Sequence, residues 1–109
     1  MTELSSRQRD ALENLIRVAH SDTGQSRRVA DFLLAWWNAQ EHGGFDLTDL
    51  WSVDAALAQD MTEVFKLVAA SHSYPDALGY PKQFERIVAL WRTTPAPDAR
   101  PQALTRPQA

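Results

Sequence analysis

The sequence contains no cysteine among its 109 residues. Disulfide bonds and thiolate chemistry are therefore excluded. No apolar run approaches the roughly 20 residues that a membrane-spanning helix requires. The polar start MTELSSRQRD lacks the apolar core of a signal peptide. We therefore expect a cytoplasmic protein that does not associate with a membrane.

Motifs of catalysis and of cofactor binding are also missing. None of the four glycines belongs to a P-loop, a G-x-G-x-x-G turn or a G-x-S-x-G elbow. His20, His42 and His72 lie far apart, at predicted helix ends or in loops, and no pair has the spacing of two metal ligands on one helix face. The sequence thus predicts a non-enzymatic protein with no metal site and no cofactor.

Positive charge is scarce in one long segment. The chain has 11 basic and 14 acidic residues, a net charge of −3, which disfavours nucleic-acid binding as its main role. Residues 41–65 include no Lys or Arg. Six acids lie there: Glu41, Asp46, Asp49, Asp54, Asp60 and Glu63. They are interpreted either as a solvated face with acids near helix N-termini, or as a surface that meets a basic partner.

Every apolar stretch has helical spacing, and no alternating strand pattern or internal repeat occurs. The spacing predicts four main helices, over about residues 6–20, 26–41, 53–71 and 82–92, with one short helical turn after the Gly-Gly pair. We therefore predict an all-α fold, a small helical bundle that forms a single domain over residues 1–92.

The predicted helix ends rest on capping residues. Ser5 and Gln8 fit a capping box for the first helix. Ser26 and Ser52 are the expected N-caps of the second and third helices, and Gly43 is expected to end the second. The expected buried face of the third helix, with the turn before it, comprises Leu50, Val53, Leu57, Met61, Val64, Phe65 and Val68.

Residues 93–109 differ in composition from the rest of the chain. Four of these seventeen residues are proline, and Leu104 is the only large apolar one. Arg100 and Arg106 against Asp98 give the segment a net charge of +1. This composition predicts a disordered, proline-rich C-terminal tail.

Aromatic residues are concentrated in AWWNAQEHGGFDLTDLW, residues 35–51, which hold three of the four tryptophans. Trp36 and Trp37 are about 100° apart on a helix, so we expect that they cannot both point at the same neighbour. Either the helix is packed on two sides with both rings in the core, or one ring joins Phe45 or Trp51 in an exposed apolar groove. Trp is a frequent interface anchor. The predicted partner-binding residues are Trp36, Trp37, Phe45, Asp46, Asp49 and Trp51.

A basic strip on the last helix is the main alternative site. Lys82, Gln83, Arg86 and Arg92 could contact nucleic acid there. The second helix begins with basic residues but continues as VADFLLAWWNAQE, which is typical of packing against protein. Direct nucleic-acid binding is therefore the less favoured interpretation.

Three blocks carry a resemblance: LLAWWNAQEHGGFDLTDLW, SYPDALGY and FERIVALW. They resemble a family of small uncharacterised proteins of proteobacterial plasmids and integrative conjugative elements, over about residues 26–92. The resemblance implies an accessory protein of a mobile element. By analogy with other small, acidic, helical proteins of such elements, it also implies a stoichiometric inhibitor of host defence, such as an anti-CRISPR protein.

The leading hypothesis is a non-enzymatic protein-interaction module. It would bind a protein partner, such as a host nucleoprotein complex, through the aromatic and acidic surface of residues 36–51, and block it. The alternatives are a small nucleic-acid-binding regulator and a structural homo-oligomer in which one indole packs on a second copy.

Overall fold

The computed structural model describes residues 4–92, and these form helices with no strand among them. The elements are α1 (Ser6–Ala19), α2 (Gly24–His42), a 3₁₀ helix (Leu47–Ser52), α3 (Ala55–Ser71) and α4 (Pro81–Trp91). The predicted all-α bundle of four main helices and one short helix is confirmed. The tail that we expect to be disordered, residues 93–109, lies outside the described residues.

One hydrophobic core joins the four α-helices, and both α1 and α2 contact all of the others. The apolar residues of α1 recur at the spacing of one helix face, and α2 is apolar around more of its circumference. The largest fully buried apolar side chains are Phe84, Leu12, Leu15, Leu33, Leu34, Met61, Leu67, Ile87, Val29 and Val64.

The capping box of α1 is confirmed. The Gln8 backbone N–H donates to Ser5 Oγ at 3.0 Å, and the Ser5 backbone N–H donates to Gln8 Oε1 at 3.2 Å. The prediction that Ser26 caps α2 is wrong, because Thr23 Oγ1 accepts from the Ser26 backbone N–H at 3.0 Å. Ser26 is fully buried in the first turn, where its hydroxyl bonds to that of Thr23. The helix therefore begins two residues earlier than expected.

The start and the inner face of α3 also differ from expectation. Ser52 belongs to the 3₁₀ helix, and the N-cap is Asp54, whose Oδ1 accepts from the Leu57 backbone N–H at 2.9 Å. Phe65 was expected on the buried face but is 61% exposed, while Leu67 is fully buried. The reason is geometric: Val64 faces the core, and Phe65 lies about 100° further round the helix.

The last turn of α2 is set apart by a break at Asn38, whose φ of −166° and ψ of 88° are not helical. Asn38 Oδ1 accepts from the Glu41 backbone N–H at 3.1 Å and so caps a new turn. That turn ends as predicted at Gly43, where φ is 95°. The Gly43 N–H donates to Ala39 O at 2.8 Å. The break and the glycine together redirect the chain towards the 3₁₀ helix.

Two polar contacts fix α4 against α1. Tyr80, buried just before α4, donates its hydroxyl to Glu13 Oε2 at 2.8 Å. Burial, followed by this bond to Glu13, raises the pKa of the Tyr80 phenol. At the other end of α4, Trp91 Nε1 donates to the Ala19 carbonyl at 2.7 Å, which satisfies a free acceptor at the end of α1.

Candidate functional site

An apolar groove of about 160 Å³ lies between α2, the 3₁₀ helix and α3. Thr62 is the only polar residue in its wall. The lining residues are Phe32, Phe45, Leu47, Leu50, Met61, Thr62 and Phe65. A groove with so few hydrogen-bonding groups suits an apolar ligand and offers nothing that would hold a charged or strongly polar one.

The segment between α2 and the 3₁₀ helix builds one wall. The ring of Phe45 packs edge-to-face on Phe32, with ring centroids 5.2 Å apart. Asp46 Oδ1 then accepts from the Thr48 N–H at 2.9 Å and from the Thr48 hydroxyl at 2.7 Å. Both bonds lower the pKa of Asp46, and the bond from the Thr48 hydroxyl has the larger effect. The cap fixes the first turn of the 3₁₀ helix, which places Leu47 in the groove wall.

Large apolar side chains remain exposed in the wall of this groove and on the 3₁₀ helix that forms part of it. Leu47 is 66% exposed and Phe65 is 61% exposed, and both line it. Trp51 is 84% exposed and follows Leu50 in the same 3₁₀ helix, about 120° further round. Exposed large apolar residues that cluster around a concave surface are typical of an interaction site.

Trp36 and Trp37 lie elsewhere, against Phe84 of α4. Both rings meet Phe84 edge-to-face, with centroids 6.0 Å and 5.8 Å from it. The expectation that the two indoles cannot share a neighbour is therefore wrong. Phe84 is fully buried, and both indoles reach it although their Cβ atoms leave the helix in different directions. The Trp36 Nε1 also donates to the Ser73 carbonyl at 3.1 Å.

The structure thus divides the six residues that we predicted to bind a partner. Trp36 and Trp37 are partly buried, and their outer edges line an open cleft with Tyr74 and Asp76. The other four lie in the segment that forms one wall of the groove: Phe45, Asp46, Asp49 and Trp51. Of these four, Phe45 lines the groove itself and is partly buried against Phe32.

Five of the six acids between residues 41 and 65 have partners within the chain. Asp46 and Asp54 are N-caps, and Asp60 Oδ2 accepts from the Asn14 side chain at 2.7 Å. Asp49 lies 3.7 Å from Arg28. Glu63 lies 2.9 Å from Arg7 and 3.6 Å from Lys66, and its hydrogen bond with Arg7 is the main cause that lowers its pKa.

Two acids, Asp46 and Asp49, lie in the segment that forms one wall of the groove. Asp46 is next to the lining residues Phe45 and Leu47 in the chain, and it is exposed. Asp49 is next to Leu50, and its side chain is 31% exposed despite its long pair with Arg28. The 3₁₀ helix that forms this wall has no basic residue of its own. Arg28 of α2 offsets part of the charge of Asp49, whereas Asp46 bonds to the uncharged Thr48, so the wall keeps a net negative charge.

The three histidines lie at helix ends, as predicted. His20 follows α1 and its Nδ1 lies 2.7 Å from the Ile16 carbonyl. His42 is the last residue of α2 and packs on Trp37, and His72 follows α3 with φ of 53°. In residues 4–92, no three side chains of the types His, Asp and Glu come together as metal ligands would.

The basic strip expected on the last helix is split in two. Lys82, Gln83 and Arg86 line an open cleft with His20 near the start of α4. Arg92 lies at the other end, where its Nη2 is 2.5 Å from Asp31 Oδ1. Its Nε also donates to the His42 carbonyl at 2.8 Å. A continuous basic face along α4 is therefore not formed.

Sequence reasoning missed several residues of the groove. Phe32, Leu47 and Met61 were not among the predicted binding residues, and Phe65 was expected in the core. The position of Phe32 off the main stripe of α2 was the available signal. Since the groove is built from three elements, its other walls depend on how those elements pack.

Within the described part of the chain, none of the helices combines the length and the apolar character that crossing a bilayer requires.

Residues 9–92 match the family DUF7673, which is described as a family of unknown function. The match covers most of the chain, and the chain belongs to this family. The matched region begins within α1. The family therefore includes most of α1, whereas the resemblance noted from the sequence begins only at about residue 26. No curated protein and no solved structure matches the chain.

Proposed function

We propose that this member of DUF7673 is a non-enzymatic protein-interaction module, and that its binding surface is the apolar groove between α2, the 3₁₀ helix and α3. The observation that carries the proposal is the exposure of Leu47 and Phe65 in the wall of a groove with an apolar lining, with Trp51 exposed on the same 3₁₀ helix. Burying such side chains on a partner removes apolar surface from water, which is the main driving force of association.

The size of the groove indicates what it receives. Its volume of about 160 Å³ is below the roughly 300–1,000 Å³ of small-molecule and cofactor sites. A cavity of about 150 Å³ holds one benzene molecule, so the groove has room for one large apolar side chain. We therefore assign it to a single anchor residue of a partner protein.

Charge specifies the residues beside that anchor. Asp46 and Asp49 lie in the segment that forms one wall of the groove, and Arg28 offsets only part of their charge. Basic residues flanking the anchor would be attracted there, and acidic ones would be repelled. A second copy of the chain, bound through the same surface, would bring the acids of one 3₁₀ helix towards those of the other. The partner segment that fits best is one bulky apolar residue with Lys or Arg on either side.

A random peptide library displayed on phage tests this proposal with the full chain as bait. We expect selected peptides to contain one Leu, Ile, Met, Phe or Trp flanked by basic residues. Selected peptides should lose binding to the Leu47→Lys and Phe65→Lys variants. They should keep binding to Leu90→Lys, a matched control because Leu90 is 53% exposed and does not line the groove.

Two outcomes would count against the groove. One is selection of peptides without this pattern. The other is equal binding of the selected peptides by all three variants and the native chain. Peptides that bind near Lys82 and Arg86 and are acidic would instead favour the basic cleft of α4. Nucleic-acid binding there has weaker support, because Arg92 is engaged with Asp31.

We place the module, as a proposal, in the cytoplasm and among the accessory proteins of plasmids and integrative conjugative elements. The resemblance of the blocks around residues 33–51, 73–80 and 84–91 supports this placement. By analogy, the partner is a host nucleoprotein complex that the protein blocks, as an anti-CRISPR protein does. Genes for members of the family should then lie beside conjugation genes, and a consistently chromosomal housekeeping setting would contradict the placement.

A further inference from the structure

The C-terminal tail carries the same pattern that the groove fits. Leu104 is the only large apolar residue among residues 93–109, and Arg100 and Arg106 flank it. We propose that residues 100–106 of the chain itself occupy the groove between α2, the 3₁₀ helix and α3, with Leu104 as the anchor, until a partner displaces them. The chain would thus be autoinhibited by its own tail.

The last described residue contacts α2 next to a residue of the groove wall. Arg92, its last described residue, bonds to Asp31 and to the His42 carbonyl. Asp31 directly precedes Phe32 in α2, and Phe32 packs on Phe45, so two aromatic walls of the groove lie close to these contacts in the fold. The tail therefore starts from a residue that contacts α2, one of the three elements that build the groove.

The tail is long enough to reach that site. Leu104 lies twelve residues after Arg92. A chain of that length spans at most about 40 Å when extended, and its typical end-to-end distance as a coil is roughly 20 Å. Because the tail is attached, its effective concentration at the groove is on the order of millimolar, so even a weak intrinsic affinity would give appreciable occupancy.

Charge and shape agree on the same placement. Arg100 and Arg106 can approach the wall of the groove whose segment contains Asp46 and Asp49. Leu104 matches the single-anchor volume. The tail contains no second bulky apolar residue that would compete for the position. A second copy of the globular part lacks this pattern around its exposed Trp51, which has Asp49 and Asp54 nearby in sequence.

The lack of cysteine allows a direct test in the full chain. A nitroxide attached at Gln108→Cys would be the only thiol-linked label. If the tail docks, the label should broaden the backbone amide signals of Leu47, Leu50 and Phe65 in NMR spectra. Leu104→Ser should lower the ratio of docked to undocked tail by at least about tenfold, which is the value of burying one leucine side chain. Leu47→Lys should also release the tail, and Leu90→Lys should not.

Each other result overturns the proposal. Absence of broadening at the groove shows that the tail does not dock. Broadening that survives Leu104→Ser shows a contact made by charge alone. Spin-labelled chains can also be mixed with isotope-labelled chains that carry no nitroxide. Broadening that arises only in this mixture shows docking between two chains.

The inference uses the groove of the proposed function but needs no partner, so the two fail separately. If the tail does not dock, the peptide selection still tests partner binding. If the tail docks and no peptide is selected, the groove is an internal contact. If both hold, Leu104→Ser should tighten the binding of selected peptides, because the competing tail is removed.

Discussion

Replacing Phe84 tests how the pair of tryptophans is organised. Phe84 is fully buried in α4, and it is the ring against which both Trp36 and Trp37 pack edge-to-face. Phe84→Ala removes that ring and leaves a cavity beneath two indoles. Phe84→Leu keeps most of the apolar volume and removes only the aromatic contacts. Together the two variants separate the loss of packing from the loss of the ring–ring interactions.

The expected magnitudes follow from this geometry. Truncation of a buried Phe to Ala costs about 3–5 kcal/mol in the free energy of unfolding. Each edge-to-face pair is worth about 0.5–1.5 kcal/mol, so the loss of two pairs in Phe84→Leu should cost about 1–3 kcal/mol. Since a small domain has a stability of about 5–15 kcal/mol, Phe84→Ala could leave little folded protein, and Phe84→Leu is the more informative variant.

Urea unfolding followed by circular dichroism gives these free energies. Phe65→Ala is the matched control, because Phe65 is the same residue type but 61% exposed on α3. Its substitution should change stability by no more than about 1 kcal/mol. If Phe84→Leu costs no more than Phe65→Ala, the two tryptophans do not depend on Phe84 and the described packing is refuted.

Three further predictions concern caps and protonation. Asp54→Ala should lower stability by about 1 kcal/mol because it removes the N-cap of α3, whereas Ser52→Ala should have little effect in the same urea titration. Gly43→Ala should cost about 1–3 kcal/mol, since its φ of 95° and ψ of 161° suit only glycine, while Gly44→Ala should be nearly neutral. The raised pKa of Tyr80 means that folding favours the neutral phenol. The stability that it contributes is therefore present below the ordinary tyrosine pKa of about 10 and lost as pH rises through the folded value. Tyr80→Phe should weaken the alkaline loss of stability, and an identical pH profile for both chains would contradict this.

Local signals predicted the helices well but placed some of their ends wrongly. The stretches around Thr23 and Ser52 each contain several residues that favour N-caps, and sequence alone does not rank them. In α2, burial of Ser26 in the core excludes it as the solvent-facing cap and leaves that role to Thr23. Ser52 is the last residue of the 3₁₀ helix that precedes α3, and Asp54 is the N-cap of α3 instead.

The buried face of α3 could not be assigned from its own periodicity. Val64, Phe65, Leu67 and Val68 are all apolar, so two neighbouring stripes fit the spacing about equally well. The choice depends on which side meets α1, and that contact selects Val64 and Leu67. Phe65 is left facing outward, where it becomes part of the groove.

Tertiary packing also decided the roles of the aromatic residues. An angle of about 100° between Trp36 and Trp37 gives the direction of their Cβ atoms but not the reach of their rings. Phe84 comes from a helix nearly fifty residues later, so its place between the two indoles has no local signature. Trp51 is an exposed aromatic ring within residues 35–51. That this region binds a partner stays a prediction.

The most direct test of the central claim is a calorimetric titration of the full chain with one peptide that has a single leucine between basic residues. The native chain and Leu90→Lys should bind it equally. Leu47→Lys should bind it at least about tenfold more weakly, because the leucine loses part of its apolar wall and the basic residues of the peptide are repelled by the new lysine. A Kd that is the same for native, Leu47→Lys and Leu90→Lys chains would contradict the assignment of the groove as the binding site.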